Sequence, residues 1–268
     1  MNKTERKMSD ILSQGREEFG VVSVKAEFEA EGTRPDELLR LVDVAGEAEL
    51  PLTVKIGGCE AVRDLFESKQ IGVRYVVAPM VETPYALSKY IAAKNLAFSD
   101  DEQRDTDFLF NVETSTAFAA RNDLVEMASR QSAVSGVVFG RVDFMGSVGR
   151  DRDEVNAPDI TEMIRELAVL LKERELDLVV GGGVSADSLD ALRSIAEVHL
   201  TRFETRKVVF GAHAVTAPGI ERGLLNAVHF ELLWLLNKRE YYGRIAEEDA
   251  RRISMLESRW SALSGENL

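Results

Sequence analysis

Two acidic residues, Glu113 and Asp143, follow neighbouring apolar runs of strand length. Glu113 comes directly after residues 108–112, and Asp143 comes shortly after residues 137–139. Strands of a parallel α/β sheet are buried on both faces and read as continuous apolar runs, and α/β barrels place their chemistry at the carboxyl ends of such strands. Two carboxylates on consecutive strands can converge on one cation, and hard divalent cations prefer oxygen ligands. The spacing therefore predicts that Glu113 and Asp143 hold an ion such as Mg²⁺.

An ion of this kind supports a recognisable class of chemistry. Mg²⁺ typically takes one or two carboxylates and leaves its other positions for water and substrate oxygens. It can bind a 2-oxo acid through the carboxylate and keto oxygens and stabilise the enolate that forms when a carbon–carbon bond breaks. The two carboxylates thus indicate a candidate site for enolate chemistry.

The elements that position this pair alternate between strands and helices. Helices of 10 to 15 residues between strands predict a parallel sheet, and eight strands predict a closed (β/α)8 TIM barrel. The predicted strands are residues 21–28, 52–56, 75–80, 108–112, 137–139, 178–180, 199–203 and 208–210. The last two strands are only about four residues apart, too few for a helix, so an open sheet is the alternative.

The whole chain, residues 1–268, is expected to form one barrel domain. An N-terminal helix covers residues 1–19, the barrel core covers 20–212, and extra C-terminal helices cover 213–268. Residues 224–236 are apolar over more than one helix face, which indicates burial on two sides. One side would contact the barrel and the other a neighbouring subunit of a homo-oligomer.

Composition excludes several classes of protein. The hydrophobic content of 45% and charged content of 29% over 268 residues exclude a disordered or fibrous chain. The net charge of −13 argues against nucleic acid or an anionic membrane as the partner. No apolar run is long enough to span a membrane. The single cysteine, Cys59, fits a reducing cytoplasm.

The site segments resemble a known enzyme family. Residues 110–114 (Phe-Asn-Val-Glu-Thr) and 138–149, which contain Gly140 and Asp143, resemble the paired signature of the citrate lyase β-subunit and 4-hydroxy-2-oxo-acid aldolase family, a branch of the phosphoenolpyruvate/pyruvate barrel superfamily. Residues 78–83 and 25–29 resemble two further segments of that family. The resemblance implies a metal-dependent carbon–carbon lyase that uses Mg²⁺ or Mn²⁺ and acts on a small oxo acid or acyl thioester. It also implies a trimer or hexamer.

The chain departs from the family pattern at three points. Lys55 stands where the family carries a substrate-binding arginine, and lysine keeps the charge but loses the planar pair of donors. No histidine lies near Glu29, where the aldolase branch has one. Arg141 replaces the proline that is usual in the motif around Asp143. Substrate identity and the proton-transfer residue therefore stay open.

We assign provisional roles to the remaining site residues. Lys55 and Arg141 are candidates to pair with the substrate carboxylate or enolate oxygen, and Glu82 is a candidate to move the proton. Backbone N–H groups over residues 140–144 are candidates to bind a carboxylate, which adds Gly140, Val142 and Phe144 to the predicted substrate site. For Lys55, a Schiff-base nucleophile and a charge-neutralising residue are the alternatives.

Other polar groups have both functional and structural interpretations. Glu27 and Glu29 with Lys25 form either part of the site or a buried polar network, and Arg202, Glu204, Arg206 and Lys207 form either an anion grip or an ion-pair network. Gly181-Gly182-Gly183 is either a phosphate cradle or a tight turn, and His213 is the one histidine placed to be catalytic. Two rival functions follow, namely a phosphosugar enzyme that uses the glycine turn and a barrel without catalytic activity.

Overall fold

A computed structural model describes residues 1–130 and 133–265 and shows a closed eight-stranded barrel surrounded by helices. The strands follow one another around the barrel in chain order. They are β1 (Val21–Glu27), β2 (Leu52–Lys55), β3 (Tyr75–Ala78), β4 (Asp107–Val112), β5 (Gly136–Gly140), β6 (Asp177–Gly181), β7 (Arg202–Glu204) and β8 (Val208–Gly211). The predicted closed barrel is confirmed, and the open sheet is excluded.

Helices flank the strands on the outside. They are α1 (Lys3–Phe19), α2 (Pro35–Glu47), α3 (Val62–Ile71), α4 (Pro84–Ala97), α5 (Ser115–Ala119), α6 (Arg121–Ser129), α7 (Arg141–Ser147), α8 (Pro158–Glu173), α9 (Leu189–Ala196) and α10 (Ile220–Ser264). Short 3₁₀ turns cover Glu102–Arg104, Arg152–Glu154, Ala186–Ser188 and Ala212–Thr216. No helix of the described ranges combines the length and apolar character that a membrane crossing requires.

Helix caps keep the loops after β3 and β4 short. The side chain of Thr83 accepts a hydrogen bond from the N–H of Ala86, and Pro84 occupies the first turn of α4. Thr114 caps α5 in the same way by accepting from the N–H of Ala117. Because a helix starts within a few residues of each strand end, Glu113 is confined between a strand and a helix start.

The last strand runs against its neighbours. β8 pairs antiparallel with both β7 and β1, whereas all other neighbouring strands pair parallel. Only residues 205–207 separate β7 from β8, and parallel strands need a crossover of about a dozen residues or more, so the chain turns back as a hairpin. The expectation of an all-parallel sheet is therefore wrong for β8.

The reversal of β8 exchanges which residues lie at each end of the barrel. Val208, at the start of β8, pairs with Val24 in the middle of β1, and Phe210 pairs with Val21 at the amino end of β1. The carbonyl of Lys207 accepts a hydrogen bond from the N–H of Lys25 one residue further toward the carboxyl end. Lys207 therefore lies at the carboxyl-terminal rim, and His213 lies at the opposite rim against Gly20. The hypothesis that His213 is catalytic assumed a parallel β8, and the reversal places His213 at the end of the barrel opposite Glu113.

The barrel interior is layered. At the amino-terminal rim, Arg202 donates to Asp177 at 2.6 Å and covers the ring of Tyr75 at 4.4 Å. The middle is closed by a separate apolar cluster of Val77, Leu109, Val138 and Val179. Above this apolar layer, at the carboxyl-terminal rim, the inward-facing residues are charged. The apolar layer therefore separates the amino-terminal rim from the charged carboxyl-terminal rim.

The C-terminal region is a single helix, α10, of 45 residues, about 68 Å long at 1.5 Å per residue. Its first half packs against the barrel and α1, with Leu224, Phe230 and Trp234 buried. From residue 244 to residue 260 every side chain is exposed. The helix therefore extends well beyond the barrel that it packs on.

Candidate active site

Glu113 is the buried centre of the carboxyl-terminal rim. It follows β4 and points inward in step with Leu109 and Asn111, and it is 1% exposed. Its Oε1 accepts a hydrogen bond from the N–H of Met80 at 2.9 Å, and its Oε2 accepts one from Asn111 Nδ2 at 2.6 Å. Lys55 Nζ lies 3.6 Å from Oε2. Two N–H donors and one ammonium thus fix the position of this carboxylate.

Gly140 provides the space that Glu113 occupies. A Cβ added at Gly140 would lie 2.7 Å from Glu113 Oε2 and 2.8 Å from Glu113 Cβ, closer than side-chain carbons pack. Any other residue at the end of β5 would displace the carboxylate. The structure thus gives Gly140 a steric role, and its predicted part in substrate binding stays a prediction.

Met80 supplies one of the two N–H donors from an unusual backbone conformation. Its φ is +51°, a region that residues other than glycine seldom adopt. Strained conformations of this kind concentrate at functional sites. Met80 was not among the predicted site residues. A left-handed backbone conformation is normally indicated by a glycine, and residues 79–83 contain none.

The charge balance at Glu113 favours an added cation. Burial raises the pKa of Glu113, the ammonium of Lys55 and the N–H donors of Met80 and Asn111 lower it, and the carboxylate of Asp143 raises it again. The net pKa is above that of an ordinary glutamate. A buried carboxylate whose anion is disfavoured in this way is stabilised by any positive ion placed beside it.

Asp143 lies at the same rim but on a helix. The chain passes from Gly140 directly into α7, so Asp143 is in the first helical turn and is exposed. It is near enough for its charge to act on Glu113, and no side-chain ion pair or hydrogen bond occupies it within the described ranges. The structure thus brings Glu113 and Asp143 to one rim. Their joint coordination of an ion stays a prediction.

Asn111 adds a second oxygen to this neighbourhood. Its Nδ2 donates to Glu113, and its Oδ1 is buried without a hydrogen-bond partner in the part of the chain described. Buried polar atoms are nearly always paired, so an orphaned oxygen indicates a missing donor or cation. Side chains alternate between the two faces of a strand, so Asn111, two residues before Glu113, could have been predicted to face the same way.

These oxygens fit a divalent cation in number and type. In residues 1–130 and 133–265, no three acidic, histidine or cysteine side chains come together as a complete metal site. A cation at the rim would therefore rest on Glu113 and Asp143 and take other ligands from water or substrate, which is the arrangement Mg²⁺ commonly adopts.

Lys55 places an ammonium group beside Glu113. Its Nζ lies 3.2 Å from Glu29 Oε2 in addition to its contact with Glu113. Burial lowers the pKa of Lys55, but the carboxylates of Glu113, Glu27 and Glu29 outweigh it, and the net pKa is raised. The side chain is therefore an ammonium at neutral pH, which suits ion pairing and opposes a Schiff-base role.

A second buried ion cluster lies beside the first. Lys25 Nζ is 3.0 Å from Glu27 Oε1 and also pairs closely with Glu204. Burial lowers the pKa of Lys25, and the carboxylates of Glu204 and Glu27 outweigh it, so the net pKa is raised. A Cβ at Gly181 would lie 3.0 Å from Glu204 Oε1, so this glycine makes room for Glu204 as Gly140 does for Glu113.

Three predicted site residues have side chains that contact the loops or the core, and Val142 is one of those packed against the core. Arg141 is 1% exposed and donates to Gly181 O at 3.2 Å and to Asn156 Oδ1 at 2.7 Å. Burial lowers the pKa of Arg141 to about 10. Val142 is half-buried, and Phe144 is fully buried with its ring centroid 5.1 Å from that of Phe139. The Arg141 and Phe144 side chains thus hold the loop and the core, and substrate binding by residues 140–144 stays a prediction.

The remaining candidates are placed as follows. Glu82 is half-buried in the loop after β3, on the same rim as Glu113. Gly182 and Gly183 have φ values of +79° and +66°, and a Cβ at Gly182 would meet the backbone N of Val142 at 2.7 Å. The glycine run is therefore a tight turn packed against α7. Lys207 pairs with Glu31 at the rim.

Comparison with known proteins gives matches in structure and none in sequence. No family model matches the chain, and no curated protein matches it by sequence. A HpcH/HpaI aldolase/citrate lyase family protein from Burkholderia cenocepacia is similar in structure, with a TM-score of 0.58 and 14% identity over 91% of this chain and 90% of that chain. A HpcH/HpaI aldolase from Desulfitobacterium hafniense has a TM-score of 0.58 and 14% identity over 74% of this chain and 82% of its own.

Macrophomate synthase is also similar, with a TM-score of 0.55 and 14% identity over 89% of this chain and 82% of that chain. At such low identities the likeness shows the fold. The structural neighbours include HpcH/HpaI aldolase/citrate lyase family proteins, which confirms at the level of fold the resemblance read from the motifs around Glu113 and Asp143.

Proposed function

We propose that this chain is a carbon–carbon lyase of the aldolase or citrate lyase type, acting on a 2-oxo or hydroxy acid in the presence of Mg²⁺ or Mn²⁺. One observation carries the proposal: Glu113 is a fully buried carboxylate with a raised pKa at the carboxyl-terminal rim of the barrel, next to the ammonium of Lys55 and within electrostatic reach of Asp143. The likeness to aldolase and citrate lyase barrels supports the same reaction class.

Glu113 and Asp143 would hold the cation. When bound, it supplies positive charge that polarises the carbonyl of the substrate and stabilises an enolate. The orphaned Oδ1 of Asn111 is free to accept a hydrogen bond from a water or substrate hydroxyl at the same place. The buried surroundings strengthen each of these electrostatic interactions relative to water.

Lys55 would bind the substrate and stabilise the charge that develops. Its ammonium pairs with the substrate carboxylate or with the enolate oxygen. It stays charged because Glu113, Glu27 and Glu29 raise its pKa. A lysine offers a point charge where an arginine offers two parallel donors, so we expect a single ion-pair contact to the substrate at this position.

Glu82 would move the proton. In the cleavage direction, Glu82 takes the proton of the hydroxyl group as the adjacent carbon–carbon bond breaks. The electron pair of that bond passes into the 2-oxo group, which gives a new carbonyl compound and the enolate of the oxo acid. A proton returned to the enolate carbon yields pyruvate or its analogue. The half-buried position of Glu82 at the rim supports proton exchange with solvent.

The test measures release of pyruvate from 4-hydroxy-2-oxo acids and oxaloacetate, and release of the acetyl thioester from citryl or malyl thioesters. We expect turnover that requires Mg²⁺ or Mn²⁺, that EDTA abolishes, and that falls by at least about a hundredfold in Glu113→Gln and Asp143→Asn, as expected for groups that stabilise the transition state. Asp153→Asn is the matched control, because Asp153 is exposed on the neighbouring 3₁₀ turn. Unchanged turnover in either site variant would refute the assignment.

Calorimetric titration separates this proposal from its rivals. We expect pyruvate, oxaloacetate or acetyl-CoA to bind in the presence of Mg²⁺ and to bind much more weakly without it. Binding of a sugar phosphate independent of metal would instead support a phosphosugar enzyme. Absence of binding and turnover with every oxo acid and thioester would support a barrel without catalytic activity.

A further inference from the structure

The outer face of α10 carries a regular pattern that the barrel does not use. Twelve positions alternate between spacings of three and four residues without interruption. We call them the outer stripe. They are Leu225, Val228, Leu232, Leu235, Arg239, Tyr242, Ala246, Asp249, Ile253, Leu256, Trp260 and Leu263. An apolar repeat of seven residues with this 3–4 spacing is the pattern of a coiled coil.

The outer stripe is exposed except at Tyr242, which is half-buried and donates a hydrogen bond from its hydroxyl to Glu37 at 2.7 Å. Its eight large aliphatic and tryptophan side chains range from 49% exposed, at Leu256 and Trp260, to 80% exposed, at Leu263. In its first half, α10 packs on the barrel and α1 through other positions, among them Leu224 and Phe230. The apolar side chains form two groups, residues 225–235 and 253–263, and exposed apolar surface of this extent marks an interaction site.

We propose that the outer stripe binds the same stripe of a second copy, so that two α10 helices form an antiparallel coiled coil with its dyad next to residue 244. The stripe is symmetric about that point. In antiparallel order the pairs are Leu225 with Leu263, Val228 with Trp260, Leu232 with Leu256, Leu235 with Ile253, Arg239 with Asp249, and Tyr242 with Ala246, the second residue in each pair belonging to the other copy.

Charge complementarity selects the second copy and the antiparallel direction. Arg239 and Asp249 are the charged residues of the stripe, and they face each other twice across the dyad. Neither has an ion-pair partner within the described part of its own chain. A parallel arrangement in the same register would place Arg239 against Arg239 and Asp249 against Asp249, which like-charge repulsion disfavours.

Residues that flank the stripe mostly agree with the antiparallel register. Glu231, whose Oε1 also lies 4.0 Å from its own Arg206, would lie near the Arg259 of the other copy, and His229 near its Glu257. Lys238 would lie near a second cation, Arg252, but Lys238 is already paired with its own Glu37 at 2.9 Å. Such flanking charges set partner choice and orientation in coiled coils.

The pairing also accounts for the part of α10 that leaves the barrel. Residues 245–264 extend about 30 Å beyond the last barrel contacts at 1.5 Å per residue. In the antiparallel pair, this projecting half covers the stripe residues 225–235 of the other copy, on the side away from that copy's barrel. The amino-terminal half of the stripe in each copy therefore contacts the carboxyl-terminal half of the stripe in the other copy. The surface is self-complementary, as a two-fold interface requires.

The test reverses each of the two stripe charges in turn in the full chain. The mass of the assembly is measured by sedimentation equilibrium at micromolar concentration. We expect the wild type to assemble in an even number of copies. Arg239→Asp and Asp249→Arg alone should each raise the dissociation constant at least about tenfold, because each places like charges together at both pairs. An equimolar mixture of the two variants should associate as tightly as the wild type, since both ion pairs are then restored. Arg251→Asp, on the same exposed segment but outside the stripe, should associate normally.

Folding is monitored by circular dichroism and thermal melting, because the exchanged residues are exposed and should leave the barrel unchanged. A wild type that is monomeric throughout, single variants that associate like the wild type, or a mixture that stays dissociated would overturn the inference. If the outer stripe binds a different protein instead of a second copy, the wild type would be monomeric throughout. None of these readouts depends on enzymatic activity, so the outcome is independent of the proposed function.

Discussion

Replacing Gly140 with alanine tests the steric relationship on which the buried carboxylate depends. The added methyl group would lie 2.7 Å from Glu113 Oε2 and 2.8 Å from Glu113 Cβ. Neither atom of Glu113 can move freely. The carboxylate accepts hydrogen bonds from two N–H groups, and the Cβ is fixed by the backbone at the end of β4. The side chain must move, so its hydrogen bonds to Met80 and Asn111 lengthen or break.

The expected cost follows from this contact. Overpacking by one methyl group costs about 1–3 kcal/mol, which for a chain of this size lowers the melting temperature by roughly 2–12 °C. Differential scanning calorimetry of the purified chain without metal measures it directly. The same variant should bind Mn²⁺ more weakly, because Glu113 no longer points to the same place.

Gly146 provides the matched control for this prediction. It lies on α7 six residues later, and a Cβ there would have no neighbour within 4 Å. Gly146→Ala should leave the melting temperature unchanged or raise it slightly, because alanine is the better helix former. A Gly140→Ala variant that melts at or above the temperature of the wild type and binds Mn²⁺ equally well would refute the reasoning.

Three further predictions concern the buried charges. Lys25→Met leaves Glu27 and Glu204 without their cation and should lower the free energy of unfolding by about 3–5 kcal/mol, measured by urea unfolding. A free energy of unfolding equal to that of the wild type within error would contradict the buried cluster. Because the pKa of Glu113 is raised in the folded chain, its contribution to stability is greatest at acidic pH and is lost as the pH rises above the ordinary range of a glutamate. Glu113→Gln should remove that pH dependence in metal-free melting curves, and identical pH profiles would contradict the shift. Arg141→Met loses hydrogen bonds to Gly181 and Asn156 and should lower stability by roughly 2–5 kcal/mol while KM stays near that of the wild type. A large rise in KM with unchanged stability would contradict this structural role and indicate that Arg141 binds substrate.

The position of Glu113 was predictable because it depends on a local pattern. An apolar run that is buried on both faces must end where the sheet ends, so an acidic residue just past it lies at the rim. The same logic placed Lys55 and Glu82 on that rim. Asp143 departs from the pattern, because the chain enters α7 directly after Gly140. Arg141, Phe144 and Met145 are the buried residues of α7, and their i, i+3, i+4 spacing was the available signal of a helix.

The features that the sequence did not reveal arise from contacts distant along the chain. The burial of Arg141 depends on Asn156 and Gly181, which only the folded loops bring near it. The steric role of Gly140 depends on a side chain of the neighbouring strand. The reversal of β8 was different, since the four-residue gap after β7 already excluded a crossover helix. A hairpin was the remaining solution, and it moves His213 to the far end of the barrel.

The central claim is that Glu113 and Asp143 hold the same cation. Crystals soaked with Mn²⁺ and pyruvate test it most directly, through the anomalous signal of manganese. We expect one strong peak at the carboxyl-terminal rim, about 2.1 Å from an oxygen of each carboxylate, with substrate or water oxygens completing the coordination. A peak bound to only one of the two carboxylates, a peak elsewhere on the chain, or carboxylates that stay too far apart to share an ion would contradict it.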